Sequence, residues 1–217
     1  MKLEHIKKTL GNTSVIDDFT YTFTPSATTC ILGRSGCGKS TLMHIAAGLL
    51  KPDKGVVEPQ GVRASVLFQD DRLLPWYNIL KNITVHGVSE KAAFSYLAKV
   101  GLNGEEHKLP GELSGGMRRR AAIARALAYR GDVYFLDEPC RGLDQATKMM
   151  VLEVIKGELA NKTALVITHD VDEALILHHQ ILITSGLPLK IEAQFAAGEL
   201  KTPQELISFI EQISKEE

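Results

Sequence analysis

The alternation of apolar and polar positions predicts short strands at the start of the chain. In the segment SVIDDFTYTF, residues 14–23, Phe19, Tyr21 and Phe23 alternate with polar residues, which is the period of a strand with one buried face. An apolar strand, TTCILG at residues 28–33, follows and leads into a glycine-rich turn. The three aromatic residues are therefore predicted to lie in the core.

Helical and strand patterns alternate through the rest of the chain. The pattern is helical from about residue 78 to 102, and DVYFLDEP and TALVITH read as strands separated by a helix over about 144–159. Two further strands follow, and Thr202, Pro203 and Glu205 begin a C-terminal helix over about 203–215. Its predicted apolar stripe is Leu206, Ile207, Phe209, Ile210 and Ile213. The order predicts an α/β fold with a mainly parallel sheet covered by helices.

Length and charge exclude some functions. The 217 residues, 44% hydrophobic and 24% charged, predict a single globular domain over 1–217. A formal net charge of -1 argues against a dedicated nucleic-acid binder, so no nucleic-acid partner is expected. Arg118, Arg119 and Arg120 are the one basic cluster, and we expect them to be solvated or paired.

The cysteines and the N-terminus predict a location inside the cell. Cys30, Cys37 and Cys140 are odd in number and lack metal-ligand spacing, so they read as free thiols in a reducing compartment. The N-terminal segment MKLEHIKKTL is charged and has no apolar centre, and no apolar run approaches the ~20 residues that a membrane helix needs. A soluble, cytoplasmic chain is expected, which could still dock on a membrane protein.

The segment GRSGCGKST fits the P-loop pattern between a predicted strand and a predicted helix. Its glycines let backbone N–H groups approach phosphates closely, while Lys39 would reach the β- and γ-phosphates and Ser40 would bind Mg²⁺. The alternative is a glycine-rich turn without a ligand. The predicted nucleotide-binding residues of the loop are Gly33, Arg34, Ser35, Gly36, Cys37, Gly38, Lys39, Ser40 and Thr41.

Two carboxylates end the apolar strand VYFLDEP, residues 133–139. With a P-loop in the same chain, Asp137 would bind or orient Mg²⁺ and Glu138 would polarise the attacking water. The alternative is a loop or a helix cap.

The segment LSGGMRRRAAIARAL places a serine and two glycines at the start of a strong helix. Ser114 is a good N-cap, and the glycines could simply let the chain turn into the helix. A helix N-terminus with exposed N–H groups also attracts an anion. The local pattern leaves both interpretations open.

The ordered set of motifs resembles the ATP-binding subunit of ABC transporters over essentially the whole chain. The set is the P-loop, Gln69 after a strand, LSGGM, VYFLDEP, GLD at residues 142–144 and ITHD at residues 167–170. The resemblance implies an N-terminal antiparallel β part, a P-loop NTPase core, and a small helical subdomain over about 70–128. It also implies a homodimeric ATPase that binds two Mg-ATP.

The resemblance also implies roles for individual residues. Ser114, Gly115 and Gly116 would bind the γ-phosphate of ATP held on the P-loop of a second copy. Gln69 would sense Mg²⁺ and the attacking water, and His169 would contact the γ-phosphate. Asp144 would communicate across the dimer.

Two positions depart from the family pattern. LSGGM, residues 113–117, corresponds to the signature motif of the family, and Met117 replaces its usual glutamine, which removes an amide but leaves the backbone donors. Leu10 stands where an aromatic residue normally stacks on adenine, so loose base recognition is expected.

The segment FQDDRLLPWYNILKNI, residues 68–83, is similar to that of importers for nitrate, sulfonates, taurine and related molecules. The resemblance implies a permease partner, an extracytoplasmic solute-binding protein, uptake of a small anion-type solute, and a peripheral position on the inner face of the cell membrane. Its apolar loop residues are the predicted docking surface: Leu73, Leu74, Pro75 and Trp76. This loop could instead fold onto its own core.

Two other classes of protein share parts of this pattern. A soluble ABC-type ATPase not linked to transport usually has two nucleotide domains or long coiled-coil insertions. A small-molecule P-loop kinase would lack the signature and ITHD. Both are therefore less favoured than the transporter subunit.

Overall fold

The computed structural model describes residues 1–199 and 203–216, with side chains described as far as residue 211. The strands are β1 (Lys2–Leu10), β2 (Thr13–Thr22), β3 (Thr28–Gly33), β4 (Lys54–Glu58), β5 (Ala64–Leu67), β6 (Val133–Asp137), β7 (Thr163–Ile167), β8 (Gln180–Ser185) and β9 (Lys190–Ala196). The helices are α1 (Lys39–Ala46), α2 (Ile79–Thr84), α3 (Glu90–Lys99), α4 (Gly115–Ala128), α5 (Gln145–Leu159), α6 (Val171–Leu177) and α7 (Pro203–Glu216), with a 3₁₀ turn at Pro110–Glu112.

Two sheets carry these strands. The smaller sheet is antiparallel in the order β2-β1-β4, and the larger has the order β5-β6-β7-β3-β8-β9. Strands β5, β6, β7, β3 and β8 of the larger sheet are mutually parallel, and β9 pairs antiparallel with β8. The predicted α/β fold with a mainly parallel sheet and an antiparallel N-terminal part is confirmed. Because parallel strands end at one edge of a sheet, the loops after β3, β6 and β7 meet there.

The aromatic residues of β2 follow the predicted alternation with one difference. Phe19 and Phe23 are buried, as predicted. Tyr21 is only half-buried, because its hydroxyl donates to Gln180 Oε1 at 2.5 Å at the border of the core. Burial raises the pKa of Tyr21 to about 12. A phenol serves such a border position because its ring packs while its hydroxyl finds a partner.

The helix predicted over residues 78–102 is wrong as a continuous element. The structure has α2 and α3 with a break between Thr84 and Glu90. Gly87 adopts φ +86°, which a helix cannot contain, and Ser89 caps α3 by accepting from Ala92 N–H at 3.3 Å. The apolar pattern did not separate these two short helices, because the buried residues of both belong to one hydrophobic core.

The C-terminal helix carries most of the predicted stripe. Leu206 is buried, Phe209 is half-buried, and the Phe209 ring meets Phe195 of β9 edge-on with centroids 5.5 Å apart. Ile207 is exposed, so the stripe is narrower than predicted. Thr202, the predicted start signal, lies outside the described residues, as does the side chain of Ile213.

The cysteines are free and buried: Cys30, Cys37 and Cys140. Among the residues that the structure describes, no helix combines the length and the apolarity needed to cross a membrane.

Candidate active site

The glycine-rich loop joins β3 to α1 at the carboxyl edge of the larger sheet. A Cβ on Gly33 would lie 2.3 Å from the carbonyl oxygen of Thr184 in β8, so only glycine fits this close approach. Gly38, directly before α1, adopts φ +101°, and a Cβ there would meet Val15 at 2.8 Å. The loop is therefore tightly seated and presents its backbone at the N-terminus of α1.

Lys39 lies over this loop. Its ammonium donates to the carbonyl oxygens of Gly33 at 2.8 Å and Arg34 at 2.7 Å, and the residue is 8% exposed. The thiol of Cys37 is buried 3.6 Å from the same ammonium and 3.8 Å from the hydroxyl of Thr184. Cys37 thus turns its side chain to the interior, while Lys39 holds a positive charge at the loop.

Ser40 and Asp137 bring two oxygen ligands together. The Ser40 hydroxyl donates to Asp137 Oδ2 at 2.7 Å, which links the start of α1 to the end of β6. Burial raises the pKa of Asp137, and the hydrogen bond from Ser40 opposes that rise. A hydroxyl and a carboxylate are hard oxygen donors of the kind that Mg²⁺ prefers beside phosphates. The pair therefore fits a magnesium ion.

Glu138, one residue after β6, and His169, two residues after β7, face each other. His169 Nδ1 lies 3.2 Å from Glu138 Oε1, and Glu138 N–H donates to Ile167 O at 2.8 Å. Glu138 adopts φ +45°, a disfavoured conformation for a residue with a side chain. Strain of this kind persists only where the surroundings fix it, and it is common at functional sites.

Glu173 is a buried acid behind this pair. Its residue is 3% exposed, and the Thr168 hydroxyl donates to Glu173 Oε2 at 2.7 Å. Burial raises the pKa of Glu173 to about 7, with a smaller raising effect from Asp170 and opposing effects from Thr168 and Lys148. Thr168 directly precedes His169, so Glu173 supports the segment that presents the histidine.

The raised pKa of Glu173 predicts a stability difference that depends on pH. The folded state holds the proton more tightly than the unfolded state, so wild-type stability falls as pH rises from 4.5 to about 7. Glu173→Gln removes this titration, so its free energy of unfolding relative to wild type should rise by about 3 kcal/mol over that window. Urea unfolding of both proteins at pH 5 and pH 8 measures it. An identical difference at both pH values would contradict the raised pKa.

A pocket of about 430 Å³ opens beside these groups. Nine of the residues predicted for the site line this pocket: Ser35, Gly36, Gly38, Lys39, Ser40, Thr41, Gln69, Asp137 and Glu138. Gly33, Arg34 and Cys37 belong to the same loop but do not line the pocket in the described chain. His169 reaches the site through its contact with Glu138.

The signature residues lie apart from this pocket. Ser114, Gly115 and Gly116 do not line it in the described chain. The Ser114 hydroxyl accepts from Met117 N–H at 3.2 Å, so Ser114 is the N-cap of α4. Capping does not use the N–H groups of the two glycines, which leaves the predicted anion role compatible with the cap.

Asp144 is the N-cap of α5. Its carboxylate accepts from Thr147 N–H at 3.0 Å and from the Thr147 hydroxyl at 2.6 Å. These hydrogen bonds with Thr147 lower the pKa of Asp144. Its described partners are local, and the cross-dimer role of Asp144 stays a prediction.

The aliphatic lining residues of the pocket are Leu10, Val15, Ile167 and Leu187. Leu10 is 46% exposed and Leu187 is 50% exposed. Aliphatic groups can cover a base by contact, but they provide neither ring stacking nor a donor or acceptor that reads its edge. Leu10 lines the pocket, and its place beside the base stays a prediction.

We expect weak discrimination between ATP and GTP. Leu10→Tyr should tighten ATP binding by about twofold to tenfold, because a stacked ring contributes about 0.5–1.5 kcal/mol beyond contact area. Nucleotide titration measures the change, and Leu109→Tyr, at an exposed leucine away from this pocket, serves as the matched control. Equal affinities for the Leu10→Tyr variant and wild type would show that Leu10 does not contact the base.

The arginine cluster was expected to be solvated or paired, and Arg119 is paired, with its guanidinium 3.3 Å from Asp71 Oδ1. Arg119 is 3% exposed and donates to the carbonyl oxygens of Asp137 and Glu138, both at 2.6 Å. A charged residue beside apolar positions of a helix was the available signal. The burial of Arg119 was not predicted, because three adjacent arginines suggest a solvated cluster. Successive residues nevertheless point 100° apart around a helix, so one of the three can face the interior.

The fold and the geometry of the site define the class of this protein. A strand, a close-fitting glycine loop and a helix carrying Lys39 and Ser40 face an acidic strand end, which is the arrangement of a P-loop nucleotide-binding protein. Residues 16–141 match the family model described as ABC transporter. The chain belongs to the ABC transporter family.

Relatives and solved structures agree with this family. The chain is 43% identical over 180 residues to an aliphatic sulfonates import ATP-binding protein of Rhodococcus jostii, covering 79% of this chain and 74% of that protein. It is 38% identical over 213 residues to a protein of the same description from Pseudomonas aeruginosa, covering 90% and 86%. A dimeric bacterial ABC transporter cassette is similar with a TM-score of 0.81 and 25% identity, covering 92% of this chain and 99% of that one.

Proposed function

We propose that this chain is the ATP-binding and ATP-hydrolysing subunit of an ABC importer, in which two copies enclose two Mg-ATP. The observation that carries the proposal is the pocket that joins the P-loop to Asp137 and Glu138 without the signature residues. A nucleotide in this pocket needs the signature of a second copy to complete its γ-phosphate site. The similar dimeric cassette supports this assembly.

In one copy, different residues would bind the phosphates, hold Mg²⁺ and activate the attacking water. Lys39 and the N–H groups at the start of α1 would hold the β- and γ-phosphates, and Ser40 with Asp137 would hold Mg²⁺. When bound, Mg²⁺ neutralises charge on the phosphate oxygens. Glu138 would accept the proton of the attacking water, and His169 would orient its carboxylate through their 3.2 Å contact.

Gln69 would complete the site from the loop after β5. It is exposed, lines the pocket, and its carbonyl oxygen accepts from Arg119 at 3.2 Å. A fixed backbone leaves the amide side chain free to contact Mg²⁺ or water. Gln69 is therefore assigned to sensing Mg²⁺ and the attacking water.

A groove beside the loop after β5 supports docking on a permease. The groove has a volume of about 340 Å³, and Leu49, Phe68, Leu74 and Tyr129 are its large apolar lining residues. Leu74 thus contributes to a concave surface, and Trp76 beside it is 68% exposed. Leu73 packs against the protein's own core, as the alternative interpretation predicted for the whole loop. Docking is assigned to Leu74, Pro75 and Trp76, with Leu73 as their anchor.

Asn82 holds the docking loop in shape. It is fully buried, its Oδ1 accepts from Leu74 N–H at 2.7 Å, and its Nδ2 donates to Tyr77 O at 2.9 Å and Asn78 O at 3.0 Å. A buried side-chain amide that satisfies several backbone groups fixes a loop without regular structure. The loop is therefore preformed, which reduces the entropy lost on binding.

The relatives favour import of a small organic anion. Both reported relatives are named for the import of aliphatic sulfonates, and we assign this chain to uptake of such a solute through a permease and an extracytoplasmic solute-binding protein. This subunit would lie on the inner face of the membrane. The same names disfavour an ABC-type ATPase without a transport role.

Reconstitution tests the proposed function. The subunit is combined in proteoliposomes with a permease and a solute-binding protein for aliphatic sulfonates, and sulfonate uptake and phosphate release are followed. The expected result is uptake that needs ATP together with release of phosphate. Import would be contradicted if the complex released phosphate but transported no solute with any nucleotide. A phosphorylated small-molecule product would indicate a kinase.

A further inference from the structure

Arg119 joins three segments of the site from within α4. Its guanidinium donates to Phe68 O at 2.7 Å and Gln69 O at 3.2 Å in the loop after β5. It also donates to the carbonyl oxygens of three successive residues that begin with the last residue of β6. These are Asp137 at 2.6 Å, Glu138 at 2.6 Å and Pro139 at 3.0 Å.

The chemistry of these contacts needs an arginine. The planar guanidinium spreads five N–H donors in a fixed fork, whereas a lysine ammonium places three donors at one point. Arg119 meets five carbonyl oxygens and, at 3.3 Å, the carboxylate of Asp71. A buried cation with so many acceptors fixes their relative positions, because moving any one segment would leave charge and carbonyl groups unpaired.

The segments held by Arg119 carry the residues assigned to hydrolysis. Two of its acceptors flank Glu138 and one is the carbonyl of Glu138 itself, whose backbone has φ +45°. Gln69 is held by the same guanidinium group. The helix that bears Arg119 begins at the signature, with Ser114 as its cap five positions earlier.

We propose that Arg119 is a positioning residue that holds Gln69 and Glu138 in their working geometry and connects both to the signature helix. This positioning role rests on the roles proposed above for Gln69 and Glu138. Arg119 acts through backbone carbonyl oxygens and has no assigned contact with nucleotide. Its loss should therefore lower the rate of hydrolysis more than the apparent affinity for ATP.

Neighbouring Arg120 provides a matched control. It lies on the same helix and donates to Val100 O at 2.8 Å and Gly101 O at 2.7 Å, at the end of α3. Arg120→Met therefore removes a guanidinium from backbone carbonyls outside the site. Any general cost to folding should appear in both variants.

The test compares steady-state ATP hydrolysis by wild type, Arg119→Met, Arg119→Lys, Arg119→Gln and Arg120→Met. Small misplacements of reacting groups cost up to about 10²-fold, so we expect kcat to fall about 10- to 100-fold in Arg119→Met with KM for ATP nearly unchanged. Arg119→Lys and Arg119→Gln should give intermediate rates, and Arg120→Met should keep the wild-type kcat. Amide hydrogen exchange should increase at residues 137–141 in Arg119→Met and near residues 100–101 in Arg120→Met.

Three results would overturn the positioning role. They are a wild-type kcat in Arg119→Met, an equal loss of kcat in Arg120→Met, or a rise in KM alone. If Arg119→Met does not fold, a wild-type kcat in Arg119→Lys and Arg119→Gln would likewise overturn it. Glu138→Gln is assayed in parallel to separate the two proposals. An active Glu138→Gln would contradict the proposed base. Arg119 variants with normal activity beside an inactive Glu138→Gln would contradict only the positioning role.

Discussion

Glu138→Gln will nearly abolish ATP hydrolysis while ATP binding is retained. The amide keeps the size of the side chain and can keep a hydrogen bond with His169, but it cannot accept a proton from water. Loss of a general base typically lowers the rate about 10²–10⁴-fold. The phosphate-binding loop and the Ser40–Asp137 pair are untouched, so nucleotide affinity should change little.

Phosphate release and nucleotide titration measure the two effects separately. Glu153→Gln, at an exposed glutamate of α5, is the matched control and should hydrolyse ATP at the wild-type rate. Turnover by Glu138→Gln near that of Glu153→Gln would show that another group accepts the proton. A large loss of ATP affinity in Glu138→Gln would instead point to a role in binding.

Trp76→Ala and Leu74→Ala will each weaken assembly with the permease while hydrolysis by the isolated subunit stays close to wild type. Trp76 is 68% exposed and Leu74 lines the adjoining groove, so both would become buried on docking. Truncation of a buried interface anchor costs ~2 kcal/mol or more, which corresponds to about 30-fold in affinity. Neither side chain lines the nucleotide pocket in the described chain.

Trp76 also reports its own burial, because it is the only tryptophan. Its emission should be that of an exposed indole in the isolated subunit and should shift to the blue on assembly. Phe94→Ala, at an exposed apolar residue of α3 outside the groove, controls for general loss of apolar surface. A buried-type spectrum before assembly, or equal weakening by Phe94→Ala, would contradict the docking assignment.

Local motifs made much of the site predictable. A P-loop requires a strand before it and a helix after it, so the sequence order alone placed Gly33 through Thr41 at one strand end. Asp137 could be assigned near Ser40 because parallel strands end at the same edge of the sheet, and the 2.7 Å contact agrees. Periodicity likewise predicted buried Phe19 and Phe23.

Long-range polar contacts were not predictable from local pattern. Arg119 meets carbonyl oxygens 18 to 51 positions away, and backbone acceptors leave no residue-type signal in a sequence. The contact of His169 with Glu138 spans 31 positions and depends on how β6 and β7 end together. The break between α2 and α3 depends on one glycine and one cap within a continuous apolar pattern.

Light scattering of Glu138→Gln tests whether two copies of the chain share a composite nucleotide site. Without nucleotide, a chain of 23.8 kDa should scatter as a monomer, and saturating Mg-ATP should convert it to a dimer of twice that mass. Adding Ser114→Asp preserves a good N-cap but sets a carboxylate against the γ-phosphate, so the dimer should be lost, while Ser114→Asn should keep it. A shared site would be contradicted if Glu138→Gln stayed monomeric with ATP bound, or if Ser114→Asp dimerised as well as Ser114→Asn.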